Sequence, residues 1–114
     1  MQEKLITVAE TPEFIKKAEK LLTTIEREEL IYYLSSNPEI GKIIQGSGGI
    51  RKVRWAKSGS GKSGGVRVIY FYYDKDIPLI LLTLFGKNEK SNLTQSEVNS
   101  LAKLTKILKG TYRK

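Results

Sequence analysis

The chain has 114 residues, 39% of them hydrophobic, with 20 lysines and arginines against 12 acids, a net charge of +8, and neither cysteine nor histidine. Such a length makes one domain, residues 1–114, able to bury about 65% of the surface that its unfolded form exposes. The absent residue types exclude disulfides, thiolate or histidine-ligated metal sites and imidazole acid–base chemistry, so any catalysis must run on Lys, Arg, Tyr, Asp, Glu, Ser or Thr.

Leu5 to Val8 alternates weakly and reads as a short first strand. Thr11-Pro12-Glu13 supplies an N-cap, a proline for the first helical position and an acid for the first turn. In the helix it opens, Phe14, Ala18, Leu21 and Leu22 face a core. Thr23 and Glu26 form a capping-box pattern for a second helix with Leu30, Tyr33 and Leu34 on its apolar stripe, ended at Asn37-Pro38. Residues 39–49 read as a glycine-rich loop. The N-terminal segment lacks a basic region followed by an apolar run, and no stretch approaches the roughly 18 apolar residues of a membrane span. We therefore expect a cytoplasmic protein with no membrane partner.

Ile50 to Ala56 is a strand whose alternation puts Ile50, Lys52, Arg54 and Ala56 on one side and Arg51, Val53 and Trp55 on the other. Lys57 to Gly65 is a Gly/Ser connection, and Val66 to Tyr73 is a central strand. Asp74 to Asp76 makes a turn into a buried strand, Pro78 to Phe85, which must run antiparallel to its predecessor. Thr94-Gln95-Ser96-Glu97 caps a last helix with Val98, Leu101, Leu104 and Leu108 on its apolar face, Lys103, Lys106 and Lys109 on its wet face and Gly110 as its stop. The resulting order, strand, two helices, three antiparallel strands and a helix, is an α+β sandwich with helices on one face of a small antiparallel sheet.

Function concentrates between Gly48 and Tyr73. Arg51, Lys52, Arg54, Lys57, Lys62 and Arg67 give six positive charges there with no acid among them. A field so localised asks for a polyanion, and the candidates are RNA, DNA or the ribosome. Ala56 to Ser63 (AKSGSGKS) fits a relaxed phosphate-loop pattern, but that motif needs a helix after its Lys-Ser pair, and here a β-branched strand follows. If the strands of Lys52, Arg54 and Arg67 pair as a hairpin, the three cations share one patch of sheet, with Lys87 at the exit of the next strand. Guanidinium groups clamp a phosphate and stabilise charge developing on it. Crowded cations favour the neutral amine of a lysine, the form that takes up a proton, and Lys52 is the candidate acceptor for a ribose 2′-hydroxyl proton. The same patch also suits passive phosphate binding. Trp55 and most of the tyrosines read as core, and the turn acids Asp74 and Asp76 do not amount to a metal site; no metal or cofactor is expected.

Three blocks carry a family resemblance: Gly48-Gly49-Ile50-Arg51-Lys52-Val53-Arg54; Gly61-Lys62-Ser63-Gly64-Gly65-Val66-Arg67; and Phe85-Gly86-Lys87-Asn88-Glu89. In this order, and with Asn37-Pro38 ahead of them, they resemble the HigB branch of the RelE/ParE toxin superfamily. The resemblance implies a RelE-like fold and a metal-independent endoribonuclease, the toxin of a toxin–antitoxin pair, which cuts mRNA on the ribosome. It further implies silencing by a HigA-like antitoxin with a helix-turn-helix domain. Carried over by position, Lys52, Arg54, Arg67 and Lys87 are the catalytic set, with Arg51, Lys57, Lys62, Asn88 and Lys90 contacting RNA or ribosome. Asn88 stands where RelE proper has a catalytic arginine, and Thr94 where it has an aromatic residue, so the acid for the leaving group stays open among Lys87, Lys90 and the ribosome. The superfamily also implies an alternative, a ParE-like gyrase-directed toxin, and the residues alone allow a non-catalytic RNA-binding module.

Overall fold

The structure is a computed structural model and describes residues 5–55, 65–86, 89 and 92–112. Its elements are β1 (Val8–Glu10), α1 (Pro12–Leu21), α2 (Thr24–Ser36), β2 (Lys42–Ile43), β3 (Ile50–Trp55), β4 (Val66–Phe71), β5 (Leu79–Gly86) and α3 (Gln95–Tyr112). One five-stranded sheet has the order β1-β5-β4-β3-β2. The β2–β3, β3–β4 and β4–β5 pairs are antiparallel, as expected for the last three strands. Among the described residues only β1 runs parallel to its neighbour, β5, because α1 and α2 carry the chain away from the sheet before it returns.

Local chemistry sets the helix starts. The Thr11 hydroxyl accepts from Phe14 N at 3.2 Å and donates to Leu81 O, so one side chain caps α1 and ties it to β5. At α2 the box is complete: Thr23 N donates to Glu26 Oε1 (2.8 Å) and Glu26 N to Thr23 Oγ1 (3.1 Å). Thr94 and Glu97 repeat it at α3. The last helix does not stop at Gly110 but runs to Tyr112. Gly110 has open space around it and no left-handed φ, so it sits in the helix as a weak former and not as a terminator.

The two sheet faces have separate cores. Phe14 and Ala18 of α1, Leu22 at its C-cap, and Leu30 and Leu34 of α2 pack with Val66, Val68, Tyr70, Leu79, Leu81 and Leu84. On the opposite face Ile50, Ile69, Phe71, Ile80, Leu82 and Phe85 meet Leu101, Leu104 and Leu108 of α3. The N-terminal helices thus share one face, as expected, but α3 covers the other. Periodicity along a helix shows that it has an apolar stripe, not which side of a two-sided sheet receives it. The near-continuous apolar run of β5 is the sign of a strand buried on both sides. Its ladder carries an extra residue, the partner of Ile69 being Thr83 and that of Tyr70 being Leu81, yet the alternation between cores resumes beyond it.

Two further expectations shift. The first strand lies at Val8–Glu10, with residues 5–7 leading in through a bond from Ile6 N to Ser35 O. Within 39–49, expected to be loop throughout, Lys42–Ile43 pairs with β3. The following turn is held by Ser47, whose buried hydroxyl donates to Ile44 O (2.6 Å) and accepts from Ile50 N (3.0 Å). Gly48 is needed there twice over: φ is +79°, and a Cβ would come within 2.6 Å of the Thr105 hydroxyl of α3. Among the described residues, no helix is long and apolar enough to cross a membrane.

Candidate functional site

The basic residues of β3 divide by strand alternation. Residues directly opposite in an antiparallel ladder put their side chains on the same face. Arg54 is opposite Arg67, and Lys52 is opposite both Ile69 and, on its other side, Lys42. Lys42, Lys52, Arg54 and Arg67 therefore stand on the α3 face, just beyond the apolar patch that α3 covers. They line a hollow of about 420 Å³ together with Ile40, Val53 and Asn92. Among the described residues no acid lines it. Like charges directly opposite one another destabilise a sheet. Here there are two such rungs, Lys42 with Lys52 and Arg54 with Arg67, side by side.

Lys52 is held from across the hollow, its ammonium donating to Asn92 Oδ1. Asn92 lies just ahead of α3, whose capping box at Thr94 and Glu97 fixes the approach of that segment. An amide oxygen orients the amine without bringing a negative charge to it. Arg54 is exposed, and Arg67 half-buried.

Arg51 does not join this group. It is opposite Tyr70, on the α1/α2 face, with its side chain only 14% exposed. Its guanidinium donates to Glu39 O (3.0 Å) and Gly41 O (2.8 Å) and lies 3.9 Å from the Glu39 carboxylate. A residue so placed braces the chain leading into β2, on the side of the sheet away from Lys52, Arg54 and Arg67. Tyr70 completes the brace: its buried hydroxyl accepts from Gly41 N (2.9 Å) and donates to Pro38 O (2.8 Å). Burial pushes the Tyr70 phenol above its ordinary range, the bond from Gly41 and the Arg51 charge opposing more weakly.

The other expected residues separate in the same way. Trp55 packs on the first core and tilts against Tyr33, ring centroids 5.1 Å apart, and Tyr70 is core, whereas Tyr73 is exposed. Lys109, expected on the wet side of α3, lies over the Tyr73 ring at 4.7 Å. Lys57, Lys62, Lys87, Asn88 and Lys90 lie outside the described residues. The sequence reading missed Lys42 and Asn92. Lys42-Ile43-Ile44, a β-branched run between glycines, was the available signal for a short edge strand. Nothing in the sequence links Asn92 to Lys52, which it meets only through the tertiary fold.

Among solved structures, one similar to this chain is that of a free Escherichia coli RelE toxin in which two arginines are replaced by alanine. It superposes with a TM-score of 0.57 at 20% identity, over 89% of this chain and 97% of that one, a likeness of fold. Residues 8–114 match the family model described as the RelE toxin of the RelE/RelB toxin–antitoxin system. With all but its first seven residues inside that match, the chain belongs to the RelE toxin family, the toxin partners of toxin–antitoxin systems.

Proposed function

We propose that this protein is a ribosome-dependent mRNA endonuclease of the HigB branch, held silent in the cytoplasm by a HigA-like antitoxin with a helix-turn-helix domain. The observation that carries the reading is the pair of like-charged rungs around one hollow whose described lining residues include no acid. A sheet keeps such an arrangement at a cost in stability, and a phosphate bound between the cations offsets it.

In the reaction proposed, Lys52 takes the proton of a ribose 2′-hydroxyl. The 2′-oxygen then bonds to the adjacent phosphorus while the bond from phosphorus to the 5′-oxygen of the next nucleotide breaks. Arg54 and Arg67, side by side across β3 and β4, stabilise the charge gathering on the non-bridging oxygens. A 2′,3′-cyclic phosphate is left on one fragment and a 5′-hydroxyl on the other. The chemistry needs neither a metal nor a cofactor. Lys87 is the candidate to protonate the leaving 5′-oxygen.

The test is a bacterial translation extract supplied with the toxin. Messages should be cut while they are translated and stay whole when initiation is blocked. Intact messages at doses that stop protein synthesis would end the nuclease reading, and inhibited DNA supercoiling by gyrase would then favour the ParE-like one.

A further inference from the structure

The hollow extends past the group assigned to the scissile phosphate. On its β2 side stand Lys42, exposed and opposite Lys52, and Ile40, a large apolar side chain left 47% exposed. Lys42 is one strand's width beyond Lys52 and a two-residue step from the Arg54–Arg67 rung, about 5 and about 7 Å. That offset suits a phosphate neighbouring the one between the arginines. A free anion would have no use for Ile40, whereas a nucleotide presents a charged phosphate and an apolar base face together.

This lip is a built feature. The edge strand is only two residues long, yet the approach to it is tied from the other side of the sheet. Arg51 holds the carbonyls of Glu39 and Gly41, and the Tyr70 hydroxyl bridges Pro38 O and Gly41 N. Gly41 is pressed so close that a Cβ would meet Tyr70 Oη at 2.8 Å and Lys52 O at 3.0 Å. Ile40 and Lys42, on either side of that glycine, are thereby held in place before any ligand arrives.

We propose that Ile40 and Lys42 form a subsite for the nucleotide flanking the scissile phosphate, Lys42 taking its phosphate and Ile40 the face of its base. The subsite rests on the nuclease reading for its register but not for its test. Binding of a short labelled single-stranded RNA is measured from about 50 to about 200 mM salt, without ribosomes, on variants whose melting temperatures are checked. Lys42→Ala should bind about tenfold more weakly at the lowest salt, with the slope of log affinity against log salt shallower by about 0.7, the value for one lost phosphate contact on a single strand. Lys42→Arg should restore the slope. Ile40→Ala should bind about threefold to fivefold more weakly at an unchanged slope, because apolar contact releases no counterions.

A wild-type slope in Lys42→Ala, or no binding by the wild-type protein at low salt, would overturn the subsite. Undiminished binding by Ile40→Ala would overturn it equally. Messages that stay whole in the translation extract despite the expected binding pattern would end the nuclease reading and leave the subsite standing.

Discussion

The two faces of the sheet obey different rules, and β3 shows it within six residues. On the α1/α2 face its side chains are Arg51, bound to two backbone carbonyls, and Val53 and Trp55, packed on the core. On the α3 face Ile50 is buried, and Lys52 and Arg54 then break the apolar pattern to open the cationic hollow. One face is optimised for stability, and the other gives up part of its stability to collect charge. Substitutions of the packed residues on either face should therefore cost folding, and those of Lys52, Arg54 and Arg67 at the hollow should cost activity while sparing the fold.

The largest effect belongs to the packed face. Phe14→Ala, at a fully buried ring of α1, should lower unfolding free energy by about 3–5 kcal/mol, measured by chemical denaturation. A loss under about 1 kcal/mol would mean that this core is looser than its burial indicates. Next comes Arg67→Ala. It should slow message cleavage by about 10²–10³-fold, as loss of a transition-state charge donor does. Removing one of two arginines set opposite each other should leave the melting temperature unchanged or slightly higher. A variant that loses activity only by unfolding would erase the distinction between the faces.

Gly41→Ala tests the brace between them and should cost about 1–3 kcal/mol, since the added carbon runs into Tyr70 and the backbone of Lys52. The smallest effect is that of Tyr70→Phe, a loss of about 1 kcal/mol near neutral pH for the two bonds of its hydroxyl. It carries a pH signature. Burial raises the Tyr70 pKa in the folded state, so the folded protein holds that proton more tightly than the unfolded chain. The associated stability is complete below the unfolded value near 10 and is lost as pH rises from there through the folded pKa. Alkaline titration of stability should consequently fall more steeply in the wild type than in Tyr70→Phe. Parallel curves would show that burial of the phenol is not felt by the fold.

Much of this contrast was legible in the sequence because it follows from periods and caps. Thr11-Pro12, the Thr23/Glu26 and Thr94/Glu97 boxes and the alternation of β3 each depend on residues a few positions apart, and each appears in the structure. Lys52, Arg54 and Arg67 needed only one longer step, the pairing of consecutive strands. What the sequence hid depends on distant contacts. The face chosen by α3, the edge strand at Lys42–Ile43 and the meeting of Lys52 with Asn92 are all settled by tertiary packing. Arg51, a basic residue in a basic stretch, looks in the sequence like its neighbours but is bound to the backbone of residues 39 and 41. Its own position in the alternation already set it on the opposite side.

The central claim is that Arg54 and Arg67 act on one phosphodiester. A double-mutant cycle on message cleavage by programmed ribosomes, with Arg54→Ala, Arg67→Ala and the pair together, addresses it most directly. Groups sharing one phosphate lose most of their joint effect when either goes, so the double variant should be little slower than the slower single one. Losses that multiply in full would show the two arginines serving separate groups and would contradict the account.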